Sequence, residues 1–203
     1  SNTNVIALDR DKYILEIANK LKKKYPKRFS FYQQKFSELE SVIDNRKADA
    51  IIFDLGLSSI QLKNLDRGFS FKSKDSLDMS MGLTDLSAEK VVNEYSEETL
   101  KKIFKILGEE KEASRIAKNI IKARAIKKIR KVFELVEIIE KSKKKNYVTR
   151  INPSTKTFQA LRIFVNKEIT ELIKGIIQAT KNLKPGGKIL IISFHSIEDK
   201  VVK

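Results

Sequence analysis

These 203 residues contain no cysteine and a single histidine. The first absence excludes disulfides and any thiolate zinc site, and it suits a reducing compartment, the cytoplasm. One histidine excludes a His-cluster metal centre, and no metal is expected. Long apolar runs are also missing: Ile189-Leu190-Ile191-Ile192 is far too short to cross a bilayer, so no membrane partner is expected. No signal peptide is visible at Ser1, where the chain runs almost directly into a strand. Acidic residues are scarce too. There are 26 Asp+Glu against 42 Lys+Arg, a formal net charge of +16. Such an excess points to a polyanion partner, usually nucleic acid. It also fits a compositional habit, because most of the charge is lysine in an isoleucine-rich chain. The distribution favours a binding surface: Lys111 to Arg150 holds 14 Lys/Arg against 4 Asp/Glu.

Hydrophobic residues make up 41% of the chain, enough for a core in one domain or in one domain with a smaller insertion. The first segment reads as strand, helix, strand, strand. Val5-Ile6-Ala7-Leu8-Asp9 is a short apolar run ending in a carboxylate. Tyr13, Ile14, Ile17, Ala18 and Leu21 share one face of a helix that Pro26 ends. Phe29-Ser30-Phe31-Tyr32 and Asp49 to Leu55 follow as strands, the latter nearly continuous in apolar residues, as in a parallel sheet buried on both faces. From Ser87 to Glu140 the pattern is helical. Ser96 is an N-cap with Glu97 and Glu98 in the first turn, Leu100, Ile103, Phe104 and Leu107 form a stripe, and Gly108 is a stop. Ala113, Ile116, Ala117, Ile120 and Ile121 mark a second helix. Val132, Leu135, Val136 and Ile139 mark a third. After about Thr157 the α/β pattern returns: a helix through Ile169, Leu172, Ile173 and Ile176, a Pro-Gly-Gly turn, and a strand from Lys188 to Phe194. Lys141 to Lys145 reads as a solvated loop. The layout predicts an α/β domain interrupted by a basic helical insert, with core at 1–70 and 158–203 and the insert at 71–157.

Open parallel sheets bind ligands beyond the carboxyl ends of their strands. Asp9 closes the first strand, where a carboxylate can accept hydrogen bonds from both hydroxyls of a ribose. A helix cap is the competing role, with Asp11 a rival for it. Asp54 follows the most hydrophobic strand, and a charge placed there calls for a partner or a ligand. Ser58, Ser59 and Gln61 add polar contacts, or simply cap the next helix. Arg67-Gly68-Phe69-Ser70-Phe71 and Leu77-Asp78-Met79 place aromatics in a polar loop. There they stack a flipped-out base or pin the loop onto the core, and the residues alone favour the core. His195, beyond the last strand, orients a phosphate or base, or makes a structural hydrogen bond.

The segments Ala7-Leu8-Asp9-Arg10-Asp11, Asp54 to Leu62, Asp66 to Phe71, Leu77-Asp78-Met79, Thr157 to Arg162 and Ile192 to Asp199 stand in one order and spacing. Together they resemble the bacterial 16S ribosomal RNA (cytosine-N4) methyltransferases, the MraW or RsmH family, over essentially the whole chain. The resemblance implies a class I (Rossmann-like) methyltransferase core with an inserted α-helical subdomain for RNA recognition. It implies S-adenosyl-L-methionine as cofactor, held at Asp9, Phe36, Asp54 and Gln61. For methyl transfer to an amine, backbone carbonyls and the carboxylate of Asp54 are the best placed acceptors, and Asp54 is the catalytic residue expected. It implies a small-subunit ribosomal RNA substrate, free or in the assembled 30S subunit, and the residues that would then meet it are Arg67, Phe69, Phe71, Asp78 and His195. Lys127, Lys128, Arg130 and Lys131 of the basic insert are the phosphate contacts expected. A homodimer remains open. Three positions depart from the family: Ile60 and Ser76 replace its usual prolines, and Ser80 replaces an arginine. The family also begins with a strand and a Gly-rich loop, and ends with a tail completing the sheet, that residues 1–203 lack. These residues alone are therefore expected to hold cofactor weakly, to transfer no methyl group and to expose an apolar edge beside the strand of Asp9. The alternatives are a methyltransferase for another amine, in DNA or protein, and an inactive RNA-binding fragment.

Overall fold

The computed structural model describes residues 3–43, 46–143 and 152–203. In chain order its elements begin with β1 (Val5–Leu8), α1 (Leu15–Lys24), β2 (Phe29–Tyr32), α2 (Leu39–Ile43), β3 (Ala48–Asp54) and α3 (Ser59–Lys63). The helices α4 (Ala88–Glu94), α5 (Glu97–Leu107), α6 (Ala113–Ile126), α7 (Val132–Ser142) and α8 (Thr155–Asn166) follow. The chain then runs through α9 (Glu168–Asn182), β4 (Leu183–Ile192) and α10 (Ser196–Val202). The architecture is α/β, divided into two compact units. One comprises Ser1–Gly56, Met81–Leu83 and Glu168–Lys203, the other Leu57–Ser80 and Thr84–Lys167.

The first unit holds two parallel two-stranded sheets. β1 pairs with β2, Val5 opposite Phe29 through Leu8 opposite Tyr32. β3 pairs with β4, Ala50 opposite Lys188 through Asp54 opposite Ile192. Side chains alternate across a strand, and alternation sorts these strands cleanly. Phe53 packs with Leu39 and Ile43 of α2 and Leu172 and Ala179 of α9, joined by Ile51, Ile189 and Ile191 and by Ile6 and Leu8 of β1. The other face of the β3–β4 pair carries Ile52, Leu190 and Ile192, all exposed. Burial on both faces, predicted from the continuous apolar runs, is thus corrected to burial on one, because α2 and α9 cover a single side. The stripe predicted for the first helix is corrected in the same way. Of Tyr13, Ile14, Ile17, Ala18 and Leu21, only Ala18 is fully buried.

The second unit is helical and closes on itself. Ser96 caps α5 by accepting the Thr99 N–H at 3.2 Å, and Ser87 caps α4 through the Lys90 N–H at 3.2 Å. α5 packs on α6 and α8, α6 on α7, and α4 on both α6 and α8. Leu100, Ile103, Phe104, Ile116, Ile120, Val132, Leu135 and Ile139, all from the predicted stripes, are buried there. α8 belongs to this unit, since Phe158, Leu161, Ile163 and Val165 are buried. The unit therefore runs to Lys167 and starts at Leu57, wider than 71–157. Of the lysine patch from Lys141 to Lys145, Lys141 and Ser142 close α7, and Lys144 and Lys145 lie outside the described residues.

Candidate functional site

Asp9 is the first residue past the carboxyl end of β1. Its N–H extends the ladder to the Tyr32 carbonyl at 3.2 Å. Its Oδ1 accepts the Asp11 N–H at 2.8 Å, which folds the loop. Helix capping falls to Asp11, buried, whose Oδ1 accepts the Tyr13 N–H at 3.1 Å. Asp9 is thus a half-buried carboxylate shaping a strand-end loop, and not the cap of the next element. Between the two acids, Arg10 donates through Nε to the Gly82 carbonyl at 3.1 Å. Burial pushes its guanidinium below the ordinary value, while Glu171, Glu168, Asp9 and Asp11 pull the other way. Gly82 has φ +88, and a Cβ there would lie 2.7 Å from the Arg10 carbonyl oxygen, so only glycine lets the two backbones meet.

Phe36 opens a short 3₁₀ turn and stands edge-on to Phe53, ring centroids 5.7 Å apart at 83°. Gly175 of α9 makes this packing possible: a Cβ there would sit 2.9 Å from Phe36 Cβ and 3.0 Å from Phe53 Cε1. Asp54 ends β3 and is exposed, and the next N–H, of Leu55, continues the ladder to the Ile192 carbonyl at 3.1 Å. Asp9, Phe36 and Asp54 all belong to the first unit, and Gln61 to the second. Gln61 is buried in the capping box of α3: its Oε1 accepts the Ser58 N–H at 2.9 Å, and its own N–H donates to Ser58 Oγ at 3.3 Å.

The residues expected to meet RNA fall into two groups. Arg67 is 6% exposed, donates through Nη2 to the Ser80 carbonyl at 2.8 Å and lies 5.0 Å from the centre of the Phe69 ring. Phe69 is buried, and Phe71 stands edge-on to Phe158 at 6.5 Å. Asp78 accepts from Ser80 Oγ at 2.8 Å, and its carbonyl accepts the Ala88 N–H. These four side chains knit a loop to its own core, and a phosphate at Arg67 would have to displace the Ser80 carbonyl. Lys127, Lys128, Arg130 and Lys131, by contrast, are all exposed on the link between α6 and α7. His195 is the N-cap of α10. Its Nδ1 accepts the Glu198 N–H at 3.4 Å, and its Nε2 lies 3.2 Å from Glu198 Oε1. Glu198, itself buried, accepts the Phe194 N–H through Oε2 at 2.8 Å, so its carboxylate braces the entry to α10.

A sequence model of the MraW methylase family matches residues 1–203. The chain belongs to the MraW methylase family. Three similar proteins carry the name ribosomal RNA small subunit methyltransferase H. Those of Bartonella grahamii and Bartonella bacilliformis are 43% and 44% identical over 203 residues, all of this chain and 61% of theirs. That of Brucella ovis is 38% identical over 208 residues, again all of this chain and 60% of its own length. The chain spans about 60% of the length of the curated relatives it matches. In this MraW-family chain, sequence reasoning passed over Arg10. The signal was a cation between two acids directly after a strand, where one partner has to come from a distant segment. It also passed over the approach of Glu168 to His195 and Glu198, whose ligating atoms all lie within 4.8 Å of one another. No helix of the described residues is long and apolar enough to cross a membrane.

Proposed function

We propose that the full-length protein methylates the exocyclic N4 amine of a cytidine in the decoding region of small-subunit ribosomal RNA. The donor is S-adenosyl-L-methionine, bound by a class I methyltransferase core. The RNA is presented free or within the 30S subunit, which places the protein in the cytoplasm. Family membership and the names of the relatives support the reaction class. The observation that carries the site is the pair of carboxylates, Asp9 just past β1 and Asp54 at the end of β3, on strands of two parallel pairs whose inner faces share one core. Ligands in parallel α/β folds gather beyond such strand ends.

The donor set fits a nucleoside cofactor. Asp9, half-buried in a tight loop, accepts from ribose hydroxyls. The Phe36 ring, fixed by Phe53 and Gly175, offers an apolar surface to a purine. When bound, the cofactor supplies an electrophilic methyl group on a sulfonium. The acceptor amine is a poor nucleophile because its lone pair is delocalised into the pyrimidine ring. The chain's contribution is therefore to place that amine in line and to offer acceptors to its hydrogens. The exposed Asp54 carboxylate serves as that acceptor, and it requires no proton of its own.

Transfer of labelled methyl to undermodified small ribosomal subunits by the full-length protein tests this reaction. Asp9→Ala is expected to weaken cofactor binding by about 1.5–3 kcal/mol, the range for hydrogen bonds to a charged group. Asp54→Asn is expected to lower turnover with cofactor affinity retained. Calorimetry showing full affinity in Asp9→Ala would reduce Asp9 to a loop-folding residue, and unchanged turnover in Asp54→Asn would remove it from the chemistry.

A further inference from the structure

α6 and α7 pack together, and only residues 127–131 join them, so the end of α6 and the start of α7 sit at one end of the pair. Two large apolar side chains are exposed there, Ile126 at 90% and Phe133 at 53%. Neither lies on the buried stripe of its helix. α6 buries Ala113, Ile116, Ala117 and Ile120, and α7 buries Val132, Leu135 and Ile139. The core does not need either residue in this position, so their exposure calls for another explanation.

The link itself is firmly set. Ile129 is buried, and Asn93 clasps its backbone from both sides, accepting its N–H at 3.0 Å and donating to its carbonyl at 2.7 Å. The Arg130 carbonyl accepts the Leu77 N–H, and the Val132 N–H donates to the Asp75 carbonyl. Glu134 Oε2 accepts the N–H groups of Arg130 and Lys131 at 2.8 and 3.0 Å. On this fixed backbone four cations project to solvent. Lys127 pairs with Glu134 at 2.8 Å, and Lys131 lies 3.9 Å from Asp75. Lys128 and Arg130 have no side-chain partner among the described residues.

An exposed ring two residues past a rigid link that carries the unpaired Lys128 and Arg130 suits unpaired nucleotides. The cations take the phosphates, and the ring stacks on a base. A second copy of the chain is the poorer occupant, because it would bring a net charge of +16 against +16. We infer that Phe133, at the start of α7, is a stacking platform for an unpaired base of the RNA substrate, and that Lys128 and Arg130 hold the flanking phosphates. This rests on the proposed RNA substrate and adds to it a specific demand for single-stranded RNA at this end of the helical unit. Phe133 is exposed and follows this fixed backbone, so little backbone ordering accompanies binding.

Binding of the full-length protein is measured against three probes: an RNA hairpin with a purine-rich unpaired loop, the same hairpin with an abasic loop, and a fully paired duplex. Phe133→Ala is expected to weaken the loop hairpin roughly tenfold. It should leave the abasic hairpin, the duplex and the salt dependence unchanged, and Phe133→Trp should restore affinity. Lys128→Gln with Arg130→Gln is expected to weaken all three probes and to flatten the salt slope by roughly 0.7–0.9 per lost contact. If the lysine and arginine changes act but Phe133→Ala does not, the stacking platform is overturned and the RNA surface stands. Should neither matter, the RNA surface at this link falls and the platform with it. A Phe133→Ala loss that is equal on all three probes, or a change only in the sedimentation of the free protein, would also overturn stacking, in favour of a structural role or of self-association.

Discussion

In the helical unit Leu77, Leu100, Phe104, Ile116, Leu135 and Leu161 are all 0% exposed. In the α/β unit Ile52 is 65% exposed, and Leu190, Ile192, Ile17 and Tyr13 are all more than two-fifths exposed. The contrast follows from geometry. An amphipathic helix has one apolar stripe, and three or four such helices can bury their stripes on each other without outside help. A parallel strand has two apolar faces and needs a layer on each. Here α2 and α9 supply one layer only. The consequence is a difference in cover: the helical unit closes its core among the described residues, and the proposed methyl-transfer acids sit on the unit with the thinner cover.

The sharpest way to break this comparison is to cut a hole in the sealed core. Leu161 of α8 is fully buried, and truncating it to alanine removes three carbons from a packed interior. Leu161→Ala is expected to cost about 2–5 kcal/mol in urea unfolding. A cost under about 1 kcal/mol would mean that the helical unit can collapse around the hole, and that its sealed appearance carries little of the stability.

A smaller effect tests how the basic link is held. Glu134 sits at the third position of α7, with its carboxylate bound to Lys127 and to two backbone N–H groups. The Lys127 hydrogen bond and the two backbone donors outweigh burial and hold it down to about 2 from an ordinary 4.5. A depressed carboxylate pKa stabilises the fold fully above the ordinary value, and that contribution disappears as pH falls from 4.5 towards about 2. Glu134→Gln is expected to cost about 1 kcal/mol at neutral pH, as loss of a helix cap does. The gap between variant and parent should close across that acid window. A gap that persists to pH 2 would assign the effect to packing instead of charge.

The same contrast explains what was legible in the sequence. The stripes of α5, α6 and α7 were readable because a 3.6-residue period has to be buried by some neighbour, and Ser96 and Gly108 mark the ends of α5 by local chemistry. The strands carrying Asp9 and Asp54 were readable from their apolar runs. Which faces would be covered was not, because alternation states that a face is apolar and says nothing about whether a layer lies over it. The assignment of α8 was illegible for a related reason. Its pattern matches any amphipathic helix, and only packing against α4 and α5 places it in the helical unit. At the site, Asp9 and Asp11 were rivals for one cap, and only the hydrogen bond to Tyr13 decides between them. For Phe69 the residues alone favoured the core, and it is buried. Arg67 was a candidate for RNA, and its burial goes with a hydrogen bond to the carbonyl of Ser80, thirteen residues on, which no local pattern reveals.

The smallest expected effect bears most directly on the α/β unit. Ile52 of β3 and Leu190 of β4 face each other in register on the uncovered side of the sheet. If that side faces water in residues 1–203, replacing both with serine removes little burial, and the unfolding free energy should change by no more than about 0.5 kcal/mol per site. The exposed apolar strip should nevertheless drive association, because single exposed residues are tolerated and a contiguous row is not. Sedimentation of Ile52→Ser with Leu190→Ser is therefore expected to show less self-association than the parent, at nearly unchanged stability. Losses above about 1.5 kcal/mol would show that polypeptide covers this face in solution. The two units would then differ in where their second layer comes from, and not in how completely their cores are sealed.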